Sequence, residues 1–480
     1  MQTRLALAVL LIFAAPAFGA ADQTKEERKA LKTVEKKLLA LAKYALIGKD
    51  FAAARAELDL ALNVAPKSKR LKREVERVEK KANRKRKARA PKAKFLAKLT
   101  KKRTEAHLAV SLLLAKAAQA TEKDHPKRYS HYLNLIQSHF PSVAALKTLN
   151  LVRFEPYYKL VSQTENKLLK SGGERLGGKD LSPTRVRTLN TQHANWSNPW
   201  VISDEVHEVR TTLPLRKARR ILAYVSAYRR YFLQRFGDVW DLKAPTGKLP
   251  VIVTATQAEL KEQMAKITGA AQAQQGMQGA AFYLQSTGSL NPCFVTLEPM
   301  QANGTTFSIN KFEELWIPIA HEVTHQIAFE YSKHDANATR QISNQFWSVE
   351  AIANYMGYHS YDGREWTLKH PRTIPMGQGM IEGPFAHCVN NVSSLPLLRD
   401  FTQLTRQRFL TVNNYHVAAT LAYFLLEGEG GKYRKQFVKL LQTVHRVKDS
   451  SNTWDQSFKG VDRDKMQREW LKFVKNIKLD

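Results

Sequence analysis

Two histidines four residues apart, His321 and His325, enclose a glutamate in the pentapeptide His321-Glu322-Val323-Thr324-His325. On a helix, positions four apart share a face, so both imidazoles can grip one zinc ion. Glu322, one step past the first histidine, then sits where it can take a proton from an activated water. Structural zinc sites close with four protein ligands, whereas catalytic ones stop at three and leave room for water. The third ligand is expected from Phe346-Trp347-Ser348-Val349-Glu350-Ala351-Ile352-Ala353-Asn354-Tyr355-Met356, where Glu350 is an acid set among apolar residues. Burying an unpaired carboxylate is costly, and a metal removes that cost. His321, His325 and Glu350 thus read as an open His2Glu set. The alternative for Glu350 is a surface glutamate on an amphipathic helix. Asn354, one turn later, is placed either to hydrogen-bond a ligand histidine or to lie on the helix surface. A long signature with a third histidine does not fit, since positions 328 and 331 are Ala and Tyr. His334 and Asp335 compete only from a polar loop.

The flanking sequence supplies the elements that must hold these groups. Pro318 fits the first turn of a helix or a kink within a longer one. Ala320, Val323, Ile327 and Ala328 give apolar packing around the polar face. Upstream, 200–202 and 207–211 are β-favouring, and 249–254 reads as a buried strand. Between them, Ile221, Tyr224, Val225, Tyr228 and Phe232 recur at helical spacing within 215–236. Segments 281–284 and 293–297 read as two strands joined through Gly288. The second reads as one arm of a plain hairpin or, as resemblance to the zincins implies for the strand before the metal helix, as a sheet edge that pairs with an extended substrate.

Together, the His-Glu-Val-Thr-His stretch and Trp347-Ser348-Val349-Glu350-Ala351-Ile352-Ala353-Asn354-Tyr355 resemble the gluzincin metallopeptidases, the thermolysin- and aminopeptidase-like group. More closely, they resemble an exported bacterial family of unknown function with a peptidase-like domain. That family has a tryptophan three residues before the glutamate, then Glu-Gly, then Ala and Tyr. Trp347, Glu350, Ala353 and Tyr355 match, while Ala351 stands in place of the glycine and adds one methyl group. The resemblance runs from about residue 199 to about 445, and it implies zinc and peptide-bond hydrolysis without naming a substrate.

The expected mechanism uses zinc to bring the pKa of its water to about 7, with Glu322 as general base that hands the proton to the leaving amine. Oxyanion charge needs one further donor besides the metal. Gluzincins take it from a Tyr or His beyond the third ligand. Tyr415 and His416 stand before the apolar run 417–426, and the resemblance favours Tyr415; the other reading is an aromatic packing at a helix start. His359, His370 and His387 have no motif around them.

Residues 1–21 carry an early Arg4, an apolar run 5–13 and small residues at 17–21, which reads as a secretory signal peptide. No later segment offers eighteen uninterrupted apolar residues. A periplasmic or secreted location follows as the expectation. Cys293 and Cys388 are the only cysteines, too few for a disulfide scaffold or a thiolate zinc site. Charge is uneven: 22–105 holds 28 Lys/Arg against 11 Asp/Glu, about half of the chain's +33. Residues 50–66 resemble half of a tetratricopeptide repeat without a second copy. The organisation expected is α+β: an all-α basic module (22–165), a linker (166–198) and a zincin-like domain (199–480) with a small mixed sheet, a metal-binding helix and a helical C-terminal part. The basic module points to an anionic envelope polymer or an acidic protein, and sparse aromatics argue against nucleic acid. Two functions emerge: an exported zinc metallopeptidase acting on peptides or proteins, or a non-catalytic envelope binding protein on a peptidase-like scaffold. Retention of Glu322 favours the first, because zinc binding alone needs no general base.

Overall fold

A computed structural model describes residues 23–48, 50–84, 93–122, 125–138, 140, 142–157, 159–268, 281–283, 291–297, 300–302, 305–307, 316–332, 345–361, 366–368, 384–446 and 452–477. The expected signal peptide, most of the basic run 83–92, Gly288, His334, Asp335 and His370 lie outside the described residues. The chain divides into two compact units, Met1–Glu155 with Lys159–Lys170, and Pro156–Tyr158 with Ser171–Asp480.

The first unit stacks α1 (Lys25–Ile47), α2 (Phe51–Val64), α3 (Lys69–Arg84), α4 (Ala93–Gln119), α5 (Pro126–Ser138) and α6 (Val143–Thr148). Helix α1 starts at a capping box in which the Thr24 hydroxyl accepts from the Glu27 amide and the Glu27 carboxylate accepts from the Thr24 amide. Its Leu31, Val34, Leu38, Leu41, Ala42 and Ala45 are buried against α2 and α4. The half-repeat read at 50–66 is α2, capped by the Asp50 side chain. Two carboxylates are buried in this bundle, each with partners. Glu27 accepts from the Tyr132 hydroxyl at 2.5 Å, and Glu57 accepts from Arg103 Nε at 2.6 Å. The unit is not wholly helical: β1 (Leu151–Phe154) and β2 (Lys159–Ser162) form an antiparallel hairpin before α7 (Gln163–Lys170).

Residues 166–198, expected as a linker, are built instead of regular elements. The end of α7 leads to the hairpin β3 (Glu174–Leu176) and β4 (Lys179–Leu181), then α8 (Pro183–Gln192). The glycines at 172, 177 and 178 serve tight turns at positive φ. Within the second unit, buried Glu174 holds this hairpin through Arg216 at 3.1 Å and Arg219 at 3.0 Å.

The second unit is mixed α+β. Its five-stranded sheet has the order β5 (Trp200–Ser203), β6 (His207–Thr211), β7 (Leu249–Thr254), β9 (Cys293–Thr296), β8 (Ala281–Tyr283). The inner pairs β6/β7 and β7/β9 are parallel, and both outer pairs are antiparallel. Parallel neighbours require a crossover. It is made first by α9 (Leu215–Trp240), whose apolar stripe Ile221, Tyr224, Val225, Tyr228, Phe232 is buried, and then by α10 (Gln257–Thr268). Strand 293–296 therefore lies inside the sheet, and the edge is β8. Its seat on the edge was an expectation that the parallel pairing with β7 removes.

A small hairpin, β10 (Met300–Ala302) and β11 (Thr305–Phe307), precedes α12 (Trp316–Glu330). Helix α12 packs on β8, β9 and α9, and α13 (Phe346–Gly357) packs on α12. Hairpin β12 (His359–Tyr361) and β13 (Trp366–Leu368) follows, then α14 (Pro384–Asn390), the single turns α15 (Leu398–Phe401) and α16 (Arg406–Phe409), and α17 (Val412–Glu427). Helices α18 (Arg434–Arg446), α19 (Thr453–Ser457) and α20 (Arg463–Lys475) close the far side. One core joins the sheet, α9, α12, α13 and α17. Among the described residues, no helix is long and apolar enough to cross a membrane.

Candidate metal centre

Helix α12 is buried nearly all round, with Ile319, Ala320, Val323, Ile327 and Ala328 fully covered. Pro318 falls in its first turn, where the missing N–H breaks no helical hydrogen bond. The histidines are thereby held within regular helix. In α13 the motif residues around Glu350 act as anchors. Trp347 is buried among Phe401, Phe437 and Trp454, and its indole N–H donates to Gln345 Oε1 at 3.0 Å. The Tyr355 hydroxyl donates to Glu427 at 2.5 Å, and Arg235 reaches the same oxygen at 2.7 Å. One end of α13 is thus clamped to the helical layer and the other to α9 and α17.

Between these anchors, His321, His325 and Glu350 converge. The two Nε2 atoms lie 3.1 Å apart, and Glu350 Oε2 is 3.2 Å from His321 Nε2 and 3.6 Å from His325 Nε2. A tetrahedron with metal–ligand bonds of about 2.0–2.1 Å has edges of about 3.3–3.4 Å, which these three distances bracket. The donor set fits zinc in both chemistry and spacing, with three protein ligands among the described residues. Asn354 lies beside His321 and favours its protonated form. The Nδ1 of His325 is buried without a hydrogen-bond partner among the described residues.

The electrostatics follow from burial of three charged groups together. For Glu350, burial alone would raise the pKa, but the charge and hydrogen bonds of His325 and His321 outweigh it and hold the carboxyl well below the usual range. Burial lowers His321, yet its bond to Glu350, the charges of Glu322 and Glu350 and the bond to Asn354 carry it above the ordinary value. Glu322 is 4% exposed, and burial pushes its pKa up against the pull of both histidines. A carboxylate that is readily protonated is suited to accept and return a proton. The Tyr283 backbone amide on outer strand β8 lies beside it and favours the charged form.

The Tyr415 ring, at the start of α17, packs on Phe409 with centroids 4.9 Å apart. Burial, and then the charges of Glu350 and Glu322, raise its phenol pKa, so it stays protonated within range of both carboxylates. His416 is buried on another side of α17, against His387 with ring centroids 4.5 Å apart. His359 donates to the Tyr355 and Met356 carbonyls, and burial beneath Arg235 pushes it down to about 3. Cys293 and Cys388 are free and buried in separate elements. Three neighbours of the site were not legible as such: Tyr283, Cys293, whose thiol is within reach of the Glu322 charge, and Arg406. Each comes from an element distant in sequence and carries no motif of its own.

No protein-family model, curated protein or solved structure matches the chain.

Proposed function

We propose that the chain is a zinc-dependent metallopeptidase with a zincin-like second unit, similar to the gluzincins, in which His321, His325 and Glu350 hold the metal. The observation that carries this reading is the three-ligand cluster with tetrahedral spacing and a buried glutamate directly beside it. Zinc bound there supplies Lewis acidity and makes water acidic enough to ionise near neutral pH. Glu322 takes the proton of the attacking water and delivers it to the leaving amine. Its raised pKa supports both halves of that task. The Tyr415 hydroxyl donates to the oxyanion that develops on the scissile carbonyl. Asn354 orients His321, a positioning role that keeps the lone pair aimed at the metal. Edge strand β8 offers main-chain hydrogen bonds to an extended peptide. The basic first unit brings the enzyme to an anionic envelope polymer or acidic protein after export.

The test is metal analysis of the purified protein with a Glu350→Ala variant prepared alongside. About one zinc per chain, largely lost in the variant, is expected. Absence of zinc from the wild-type protein even after reconstitution would sink the proposal. Cleavage of a broad peptide pool by wild type and not by Glu322→Gln, with zinc retained in both, separates an enzyme from a scaffold.

A further inference from the structure

Phe346 and Glu350 are four residues apart on α13 and so share a face. The Phe346 ring carries the guanidinium of Arg406, from α16, at 4.8 Å from its centroid. Behind it, Phe346 packs edge-on against Phe409 at 5.5 Å, and Phe409 packs on Tyr415. An aromatic ridge therefore runs from beneath Arg406 to Tyr415, whose phenol feels the charges of Glu350 and Glu322. Arg406 is exposed and forms no ion pair among the described residues. Its positive charge is felt at Tyr415. An exposed cation is thus held on the side chain that lies one helical turn before the metal ligand Glu350.

We infer that Arg406 is a specificity-determining residue that binds a carboxylate of the substrate close to the scissile bond, so that acidic or carboxylate-ending peptides are the preferred class. The inference rests on the metallopeptidase reading for the reaction, though not for the binding. A guanidinium presents a planar fork of donors matched to the two oxygens of a carboxylate. Stacking on Phe346 removes much of the side-chain freedom that would otherwise be lost on binding. The nearby protein carboxylates, Glu322 and Glu350, are engaged with imidazoles and the Tyr283 amide, which leaves the fork for an incoming group. The carboxylate has two sources, an Asp or Glu side chain or a free C-terminus.

Fluorescein-labelled peptides of mixed sequence in four matched sets distinguish them: Glu-containing, the same with Gln, free-acid C-terminus, and C-terminal amide. Turnover is measured with the zinc-loaded full chain, and binding by anisotropy with the Glu322→Gln protein, each with and without Arg406→Lys and Arg406→Glu. A charge-assisted pair of about 1.5–3 kcal/mol corresponds to roughly 10- to 150-fold, so at least a tenfold preference for one carboxylate set is expected. Arg406→Lys should shrink it and Arg406→Glu abolish or invert it. Preference for Glu over Gln assigns a side chain, and preference for acid over amide assigns the C-terminus. Charge-selective binding without cleavage keeps Arg406 and removes the hydrolase reading. Cleavage or binding that ignores substrate charge, or a preference untouched by Arg406→Glu, overturns the inference and leaves the hydrolase reading standing. No binding and no cleavage of any set overturns both.

Discussion

The backbone amide of Tyr283 lies beside the carboxylate of Glu322, which brings the polar face of α12 to β8, an outer strand of the sheet among the described residues. The contact arises because α12 packs directly on β8 and β9, with Tyr283 opposite Cys293 in the ladder. The residue proposed as general base and the strand proposed to pair with substrate are thereby fixed in one frame.

That contact separates two substitutions at one position. Glutamine retains an oxygen for the Tyr283 amide and sheds a buried charge, so Glu322→Gln should fold with wild-type stability and retain metal while losing turnover. Alanine leaves a buried amide without a partner, at a cost of about 1–3 kcal/mol. Urea unfolding should therefore rank Gln above Ala. Equal midpoints for the two variants would show that the Tyr283 contact contributes nothing.

The ligand and its supporting amide should also differ in degree. Asn354→Ala removes only the hydrogen bond to His321, and loss of such a partner lowers metal affinity by about 10- to 100-fold. Glu350→Ala removes a donor from the triad and should lower affinity further. Competition with a colorimetric zinc chelator gives both values. Asn354→Asp, which restores an acceptor, should recover most of the loss; failure to do so would mean that Asn354 acts by packing.

How much of this was legible in the chain depends on how local each signal is. The His-x-x-x-His spacing and the acid at 350 are helical patterns, and the structure brings those three residues together as the spacing requires. Strand existence in the sheet could be read from β-branched runs, but strand order could not, since β9 lies inside only because it pairs with β7 across a long crossover. The 166–198 segment looked like a linker because its turn glycines dominate a short, polar stretch. Its helices and hairpin are held by partners such as Arg216 and Arg219 that sequence spacing does not connect to Glu174. Tyr283 and Arg406 reach the site from separate elements for the same reason.

Tyr355, one of the residues carrying the resemblance, is expected to stabilise and not to catalyse. Its hydroxyl donates to Glu427, which is also paired with Arg235 at 2.7 Å and Arg434 at 3.0 Å. Tyr355→Phe leaves both arginines paired and should cost about 1 kcal/mol. Glu427→Ala strips the acid from a half-covered Arg235 and should cost more, about 1–3 kcal/mol after allowance for solvent. Zinc content should be unchanged in the phenylalanine variant. Loss of metal there would mean that the clamp sets the position of Glu350 and not merely the stability of α13.

Acid should weaken the fold through histidines that are buried neutral. His207, at the start of β6, is fully covered, and neither ring nitrogen has a hydrogen-bond partner among the described residues. Burial pushes it down to about 3, with Arg229 and Arg230 adding to the effect and Asp204 opposing it. His359 is likewise pushed down to about 3. An unfolded histidine titrates near 6.5, so between about 6.5 and 3 the unfolded chain binds a proton that the folded chain refuses. Stability from these groups is complete above that window and falls as pH drops through it, by up to about 1.4 kcal/mol per pH unit for each. Asp204 acts in the same direction at lower pH. Burial would raise its carboxyl, but bonds from Ser226 and the His207 and Val206 amides hold it below the usual range. Urea unfolding at pH 7, 5.5 and 4.5 should show the decline, and His207→Leu should flatten it by one group's share. A His207→Leu profile parallel to wild type would mean that His207 is already charged in the fold.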